Sequence, residues 1–312
     1  MSVRQNIAAV PGITVGHATL AAHGTGCTVI LGPESGMRAA ACVRGRATGT
    51  REIDALDPRH LVERIDAVLI TGGSAHGLGA ADGVMRWLRE RGRGLPVGPV
   101  TVPIVPAAVI FDLGNAGKPV GWPGPEDAYR ACEQANADVA EGRIGAGTGA
   151  TCGKAAGLDK MMPAGLGTSA TRSGSGDVIV GALVVVNAVG DVRNARGEII
   201  AGARNPDGSF VDCQRYLAEG GAPFADPSRL TRNTTIAVIA TNATLDRVQL
   251  QALAYSASDA LARRITPYGT LYDGDVVFAV STATVSPQSP LQVEALAAMA
   301  VPEAVERAVQ HG

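Results

Sequence analysis

Apolar and polar positions along the chain fall into blocks that predict a mixed α/β architecture. Val178 to Asn187 is apolar on both faces, the pattern of a central strand buried on two sides, and it ends at Asn187. A second block, Thr234-Thr235-Ile236-Ala237-Val238-Ile239-Ala240-Thr241-Asn242, follows directly on polar Arg232 and Asn233, so a β-branched strand opens on two threonines. Shorter strands are expected at Gly12–His17, at Cys27–Leu31 between the turn residues Gly26 and Gly32, at Ala39–Val43, at Asp66–Ile70 and at Val276–Val280. Apolar residues at helical spacing predict helices from about Ala80 to Arg91, from about Glu126 to Glu141 behind Pro125, from Leu245 to Ile265 with Thr244 as cap, and from about Leu291 to Gln310 with a break or bend near Pro302. Pro99, Pro103 and Pro106 make the first half of the stretch 98–113 an edge strand or irregular chain. Residues 191–233 are polar and turn-rich, and are expected to be the most mobile segment.

Composition narrows the class. Apolar residues make up 46% of the 312 and charged residues 18%, enough for a sizeable core in one large α/β domain or two small ones. A net charge of −2 and a pI of about 6.2 give no electrostatic case for nucleic acid or an anionic membrane as partner. The five cysteines are odd in number and lack CxxC spacing, which points to a reduced, cytoplasmic protein rather than a disulfide framework or a zinc site. The first residues hold no apolar signal core, and no run of 18 apolar residues follows, so a soluble chain is expected.

Two glycine-rich strings invite familiar motif readings and fail them. In Thr71-Gly72-Gly73-Ser74-Ala75-His76-Gly77-Leu78-Gly79 a nucleophile elbow would need glycine two places after Ser74, where His76 stands, and G-x-G-x-x-G is absent. A Ser74–His76 pair lacks an orienting acid, so the string reads as pocket wall. In Gly142 to Lys154 a Walker loop would need glycine where Thr148 stands and Ser or Thr where Ala155 stands, which disfavours nucleotide binding. His17, a single histidine after a glycine, reads as a hydrogen-bonded turn residue without a catalytic role.

Other residues carry candidate chemistry. Lys154 is one of only three lysines, with Lys118 and Lys160, and lies among small neutral residues. It is either a buried amine with a lowered pKa or a solvated loop lysine, and Lys160 near Pro163 is its rival. Asn187 is either an amide held rigidly at a strand end to donate to an oxyanion or a turn former before Gly190-Asp191. Asp273 and Asp275 flank Gly274, so both face one site or Gly274 makes a turn between two solvated acids; a metal would want more oxygen ligands. Thr234 is a common strand-opening residue. If the Asn233–Thr234 bond were cut, however, it would carry a nucleophilic hydroxyl and, on the same residue, a free amine as base.

Several strings in succession, PGITVGH, TGGSAHGL, VPIVPAAVIFDL, GATCGK and the Asn233-Thr234 junction, closely resemble the DmpA-type aminopeptidase family. This family of self-cleaving amidases includes L-aminopeptidase/D-esterases, β-aminopeptidases and the nylon-oligomer (6-aminohexanoate oligomer) hydrolases. The junction, and an Asp pair where peptidase relatives carry Ser and Glu, look most like the last group. The resemblance spans nearly the whole chain. It implies a four-layer αββα sandwich of the DmpA/ornithine acetyltransferase type, one domain over 1–312, self-cleaved into chains 1–233 and 234–312. It further implies Thr234 as nucleophile, Lys154 in the cleft, Asn187 as oxyanion donor, Asp273 with Asp275 orienting the nucleophile, and no cofactor or metal. The implied partners are a small amide or peptide substrate such as a 6-aminohexanoate oligomer and further copies of the chain, as a tetramer of cleaved units. Two alternatives remain: an acyltransferase of the ornithine acetyltransferase type, and a non-catalytic small-molecule-binding protein on the same fold.

Overall fold

Two facing sheets lie between two pairs of helices in a computed structural model of the chain, which describes residues 5–222 and 232–310. In chain order the principal elements are β1 (Thr14–Leu20), β2 (Thr25–Leu31), β3 (Met37–Val43), β4 (Ala67–Thr71), α1 (Ala81–Glu90), β5 (Ala107–Val109), α2 (Pro125–Glu133), β6 (Leu166–Arg172), β7 (Ile179–Asn187), β8 (Thr234–Ala243), α3 (Arg247–Ala262), β9 (Val276–Val285) and α4 (Pro290–Gln310). One sheet runs β1-β2-β4-β5 and ends on the short strand Thr50–Arg51. The other runs β6-β7-β8-β9-β3 and ends on Arg64–Ile65; within it β8 and β9 are parallel, while β7–β8 and β9–β3 are antiparallel.

Side-chain alternation assigns each strand residue to a layer. Leu183, Val185, Ile236, Val238 and Phe278 point into the space between the sheets and meet Ile30 and Ile70 of the other sheet. Their neighbours Val184, Val186, Ala237 and Ile239 point outward against Leu250, Leu253, Val301 and Val305 of α3 and α4. On the opposite side Val29 and Leu69 pack on Val84, Leu88, Ala128 and Ala131 of α1 and α2. The result is an αββα sandwich. It explains why the middles of β7 and β8 are apolar on both faces: each is covered on both sides, so neither face has a reason to be polar there.

Several boundaries differ from the sequence expectation. Helix α2 stops at Glu133 rather than near Glu141, because Asn136 exchanges backbone hydrogen bonds with Val15 and the chain turns into pairing with β1. Asp246, not Thr244, caps α3: its carboxylate accepts from Gln249 N at 2.8 Å, while Thr244 N still donates to Val285 in the sheet. Helix α4 runs unbroken through Pro302, whose burial against the sheet with Ala300, Val301 and Ala304 offsets the lost helix hydrogen bond. His17 lies within β1 rather than in a turn, its Nδ1 3.0 Å from Thr28 Oγ1, and burial pushes its imidazole down to about 4. The first half of the proline-rich stretch is as expected, a peripheral strand Val100–Val102 paired with Leu95–Val97 and then irregular chain, while β5 in its second half is internal and parallel to β4. The described part of the polar 191–233 stretch holds the strands Asp191–Arg193 and Ile199–Ala201 and the short helix Cys213–Ala218, and residues 223–231 lie outside the described residues. Among the described residues no helix is long and apolar enough to cross a membrane.

The seat of α2 on β1 depends on one missing side chain. A Cβ built on Gly16 would lie 1.8 Å from the Ala131 carbonyl oxygen, so the helix rests directly on the strand backbone. Gly16→Ala is expected to destabilise the chain by about 1–3 kcal/mol or more, as overpacking does. The check is a urea titration, in which an unchanged midpoint would contradict this packing.

Candidate active site

The register of β7 against β8 pairs Asn187 with Thr234 at the end of both strands, and alternation turns both side chains to the space between the sheets. Two further segments close on this end. The Gly142–Lys154 string passes through the short strand Thr151–Cys152 and turns at Gly153, whose N–H donates to Gly190 O, bringing Lys154 beneath Asn187. The loop before β9 brings in Asp273 and Asp275 through a backbone bridge between Asn233 and Asp273.

Lys154 is 2% exposed, a long side chain fully inside the protein. Its Nζ donates to Asn187 Oδ1 at 2.7 Å, to Arg232 O at 2.8 Å and to Asn187 O at 2.9 Å. Three acceptors match the three protons of an ammonium, yet burial holds the amine down to about 7, against the raising influence of Cys152, Asp273 and Asp112. The rival Lys160 sits in the following loop, half-buried, and its backbone joins Gly157 and Arg204. The Asn187 Nδ2 donates to Arg232 O at 3.0 Å and to Phe111 O at 3.1 Å, and its Oδ1 also accepts from Thr151 N at 3.1 Å. Both ends of the amide are thereby fixed.

Thr234 is buried, and its hydroxyl donates to the carbonyl oxygen of Asn233 at 2.5 Å. That same oxygen accepts from Gly274 N at 2.9 Å. Both polar atoms of the Asn233 side chain are buried without a partner among the described residues. Asp275 Oδ1 accepts from Thr235 N at 2.5 Å and its Oδ2 from Gly269 N at 3.1 Å, tying the acid to the start of β8; Asp273 Oδ2 accepts from Thr270 N at 2.8 Å. Burial raises both carboxyls, and the charge of Asp273 raises Asp275 further, well above the usual carboxylate range.

A cavity of about 310 Å³ opens at Thr234, walled by Ala47, Thr48, Gly49, Ser74 and Phe111. The serine of the TGGS string is thus a wall residue, and His76 stacks on Trp122 at 4.5 Å between ring centroids. A larger cavity of about 470 Å³, reached by Lys118, Arg143 and Met161, touches the site through Thr151.

Sequence reasoning missed three features. The loop 44–47 supplies four backbone amides to the Asp273–Asp275 strip. Phe111 holds Asn187 by its carbonyl and lies 5.1 Å beneath the Arg232 guanidinium. Asp112, whose Oδ1 accepts from Gly73 N at 2.7 Å, anchors the glycine turn, and burial pushes its carboxyl up to about 6. A lone Asp ending an apolar run was the only sequence signal for any of these; backbone donors leave none.

The geometry can be set beside known proteins. The family model for peptidase family S58 matches residues 5–312. An uncharacterised aminopeptidase of Mycobacterium tuberculosis is 42% identical over 303 residues, covering 90% of this chain and 82% of the relative. A 6-aminohexanoate-oligomer endohydrolase of Kocuria sp. is 34% identical over 281 residues, covering 87% and 73%. Among solved structures, the β-aminopeptidase of Burkholderia sp. superposes with a TM-score of 0.70 at 23% identity, covering 97% of this chain and 86% of that one. The L-aminopeptidase D-Ala-esterase/amidase of Ochrobactrum anthropi, described as a new variant of the Ntn hydrolase fold, does so with a TM-score of 0.68 at 23% identity. With this family match along nearly its whole length and that fold, the chain belongs to peptidase family S58 and is a hydrolase of amide or peptide bonds.

Proposed function

We propose that the chain is an N-terminal-nucleophile amidase made as an inactive precursor that cuts itself between Asn233 and Thr234. The observation that carries this reading is the Thr234 hydroxyl 2.5 Å from the oxygen of the carbonyl it would attack, beside Lys154, Asn187 and the acid pair. In the first step Oγ bonds to the Asn233 carbon, the C–N bond breaks, and the hydroxyl proton ends on the Thr234 nitrogen. The resulting ester is hydrolysed by water, leaving Asn233 as a carboxylate and Thr234 with a free amine and hydroxyl. In turnover that amine, with an ordinary pKa of about 7.7–8.0, takes the hydroxyl proton as Oγ attacks a substrate amide; the substrate C–N bond then breaks, the leaving amine takes that proton, and water hydrolyses the ester left on Oγ to a carboxylic acid and the free hydroxyl. The Asn187 amide receives the oxyanion, Lys154 holds Asn187 and steers protons, and Asp275 with Asp273 fixes the start of β8 so that Oγ is aimed. Every atom in these steps comes from the chain, the substrate and water.

Small peptides and ω-amino-acid oligomers are the substrates this reading favours. Relatives named as aminopeptidases and as 6-aminohexanoate-oligomer endohydrolases support it, as does a cavity at Thr234 walled by uncharged side chains. The reading includes a tetramer of cleaved units, for which the exposed apolar hairpin Leu95–Val97 and Val100–Val102 would offer surface. Five free, buried cysteines fit a cytoplasmic setting.

Intact-mass measurement of purified protein is expected to find two chains, residues 1–233 and 234–312. A panel of aminoacyl p-nitroanilides, β-peptides and linear 6-aminohexanoate oligomers is expected to show hydrolysis only by cut protein. A single uncut species that turns over any of them would sink the reading.

A further inference from the structure

We propose that the backbone N–H of Gly274 is the oxyanion donor of the self-cleavage step, a role separate from that of the Asn187 amide in turnover. This rests on the reading of Thr234 as the nucleophile. The carbonyl that must become tetrahedral is that of Asn233, and its oxygen accepts from Gly274 N at 2.9 Å and from the attacking hydroxyl at 2.5 Å. The side chains of Asn187 and Lys154 are occupied one residue upstream, on the Arg232 carbonyl, at 3.0 and 2.8 Å. Before the cut, therefore, the two side-chain donors position the leaving segment while a backbone donor faces the bond that breaks.

The Gly274 N–H is rigidly aimed. Arg44 N and Gly45 N donate to Asp275 O at 2.9 and 3.0 Å, and Arg46 N and Ala47 N donate to Asp273 O at 2.9 and 3.0 Å, so four consecutive amides grip the residues on either side of Gly274. From the other direction the carboxylates of Asp273 and Asp275 accept from Thr270 N, Thr235 N and Gly269 N. A donor fixed in this way needs no reorganisation as charge gathers on the oxygen. The lack of a side chain follows from the same closeness. A Cβ on residue 274 would sit 2.8 Å from Thr234 Oγ1 and 2.7 Å from Ala47 O, and Gly274 does not adopt a positive φ, so space rather than backbone conformation requires glycine there.

As Oγ bonds to the Asn233 carbon, the carbonyl electron pair moves onto the oxygen and meets the Gly274 N–H. Collapse breaks the C–N bond and the proton from Oγ ends on nitrogen, giving the ester that water then opens. Release of Arg232 and Asn233 frees Asn187 Nδ2 and Lys154 Nζ from the Arg232 carbonyl, and a substrate can take its position. One event thus converts a processing site into a turnover site.

The test replaces Gly274 by glycolate through semisynthesis, exchanging that single N–H for an ester oxygen. The glycolate chain is expected to cut itself at least about 100-fold more slowly than the parent, the loss typical of one oxyanion donor. Asn187→Ala is expected to keep cutting far faster than the glycolate chain while losing turnover. A glycolate chain that cuts at the parent's rate overturns the proposal, and so does an Asn187→Ala chain as inert to cutting as one lacking the Thr234 hydroxyl; this second arm decides the matter should the glycolate chain not fold. A parent that never cuts removes the Thr234 reading itself, whereas a parent and a glycolate chain that both cut remove only the role of Gly274.

Discussion

Thr234→Ala is expected to yield a single 312-residue chain with no measurable hydrolysis of any amide, while Thr234→Ser still cuts and still turns over. The reason lies in how little else near the bond could replace the hydroxyl. Thr234 Oγ lies 2.5 Å from the Asn233 carbonyl oxygen; Thr235 points to the opposite face of β8, and the other hydroxyls of the cavity wall, Thr48 and Ser74, belong to separate segments. Alanine preserves the strand, since β8 is buried along its whole length and its stability comes from that burial. Loss of cutting without loss of folding is therefore the expected pattern, read by intact mass together with circular dichroism. If the alanine chain matured and hydrolysed substrate like its parent, the nucleophile would have to be sought elsewhere.

Lys154→Met is expected to lower turnover by about 100-fold or more, the scale on which misplacing an oxyanion donor acts. Methionine keeps an unbranched apolar stem, one atom shorter, but leaves Arg232 O, Asn187 O and Asn187 Oδ1 without the donor they share, and the Asn187 amide loses one of the contacts that fix its orientation. The same substitution has a signature in stability. Burial holds the Lys154 amine down to about 7 in the folded chain, whereas an unfolded chain keeps it near 10.4. Between those values the unfolded chain binds the extra proton, so the stability of the parent relative to the Met variant rises with pH from about 7 towards 10 and is flat below about 7, where the burial cost of the ammonium is present in full. Urea midpoints across that range, both chains carrying Thr234→Ala so that neither is cut, measure the difference. A difference that does not change with pH would mean that Lys154 titrates like a solvated lysine, and its assignment to the site would fail with it.

Much of the fold was legible because burial writes itself into composition. The blocks at β7 and β8 could only be strands covered on both sides, and the helical spacing of Leu250, Leu253, Ala257 and Leu261 marked α3. Boundaries were less legible where a distant segment intervened. Asn136 leaves the helix to pair with Val15, and Pro302 stays inside one because the turns of α4 before and after it are packed against the sheet; neither partner is near in sequence.

By itself, the sequence determined the layered α/β order, the strand that opens on Thr234 and the short list of polar residues, Lys154, Asn187, Asn233, Asp273 and Asp275, whose types and surroundings suggested chemistry. Only the tertiary structure decided that these five come from four separate segments to one end of two paired strands, that a lysine among glycines is dry, and that Gly274 faces the Asn233 carbonyl. The physical reason is that a sequence pattern records what each segment buries, whereas the direction of a backbone N–H and the solvation of an amine are set by chain that arrives from elsewhere.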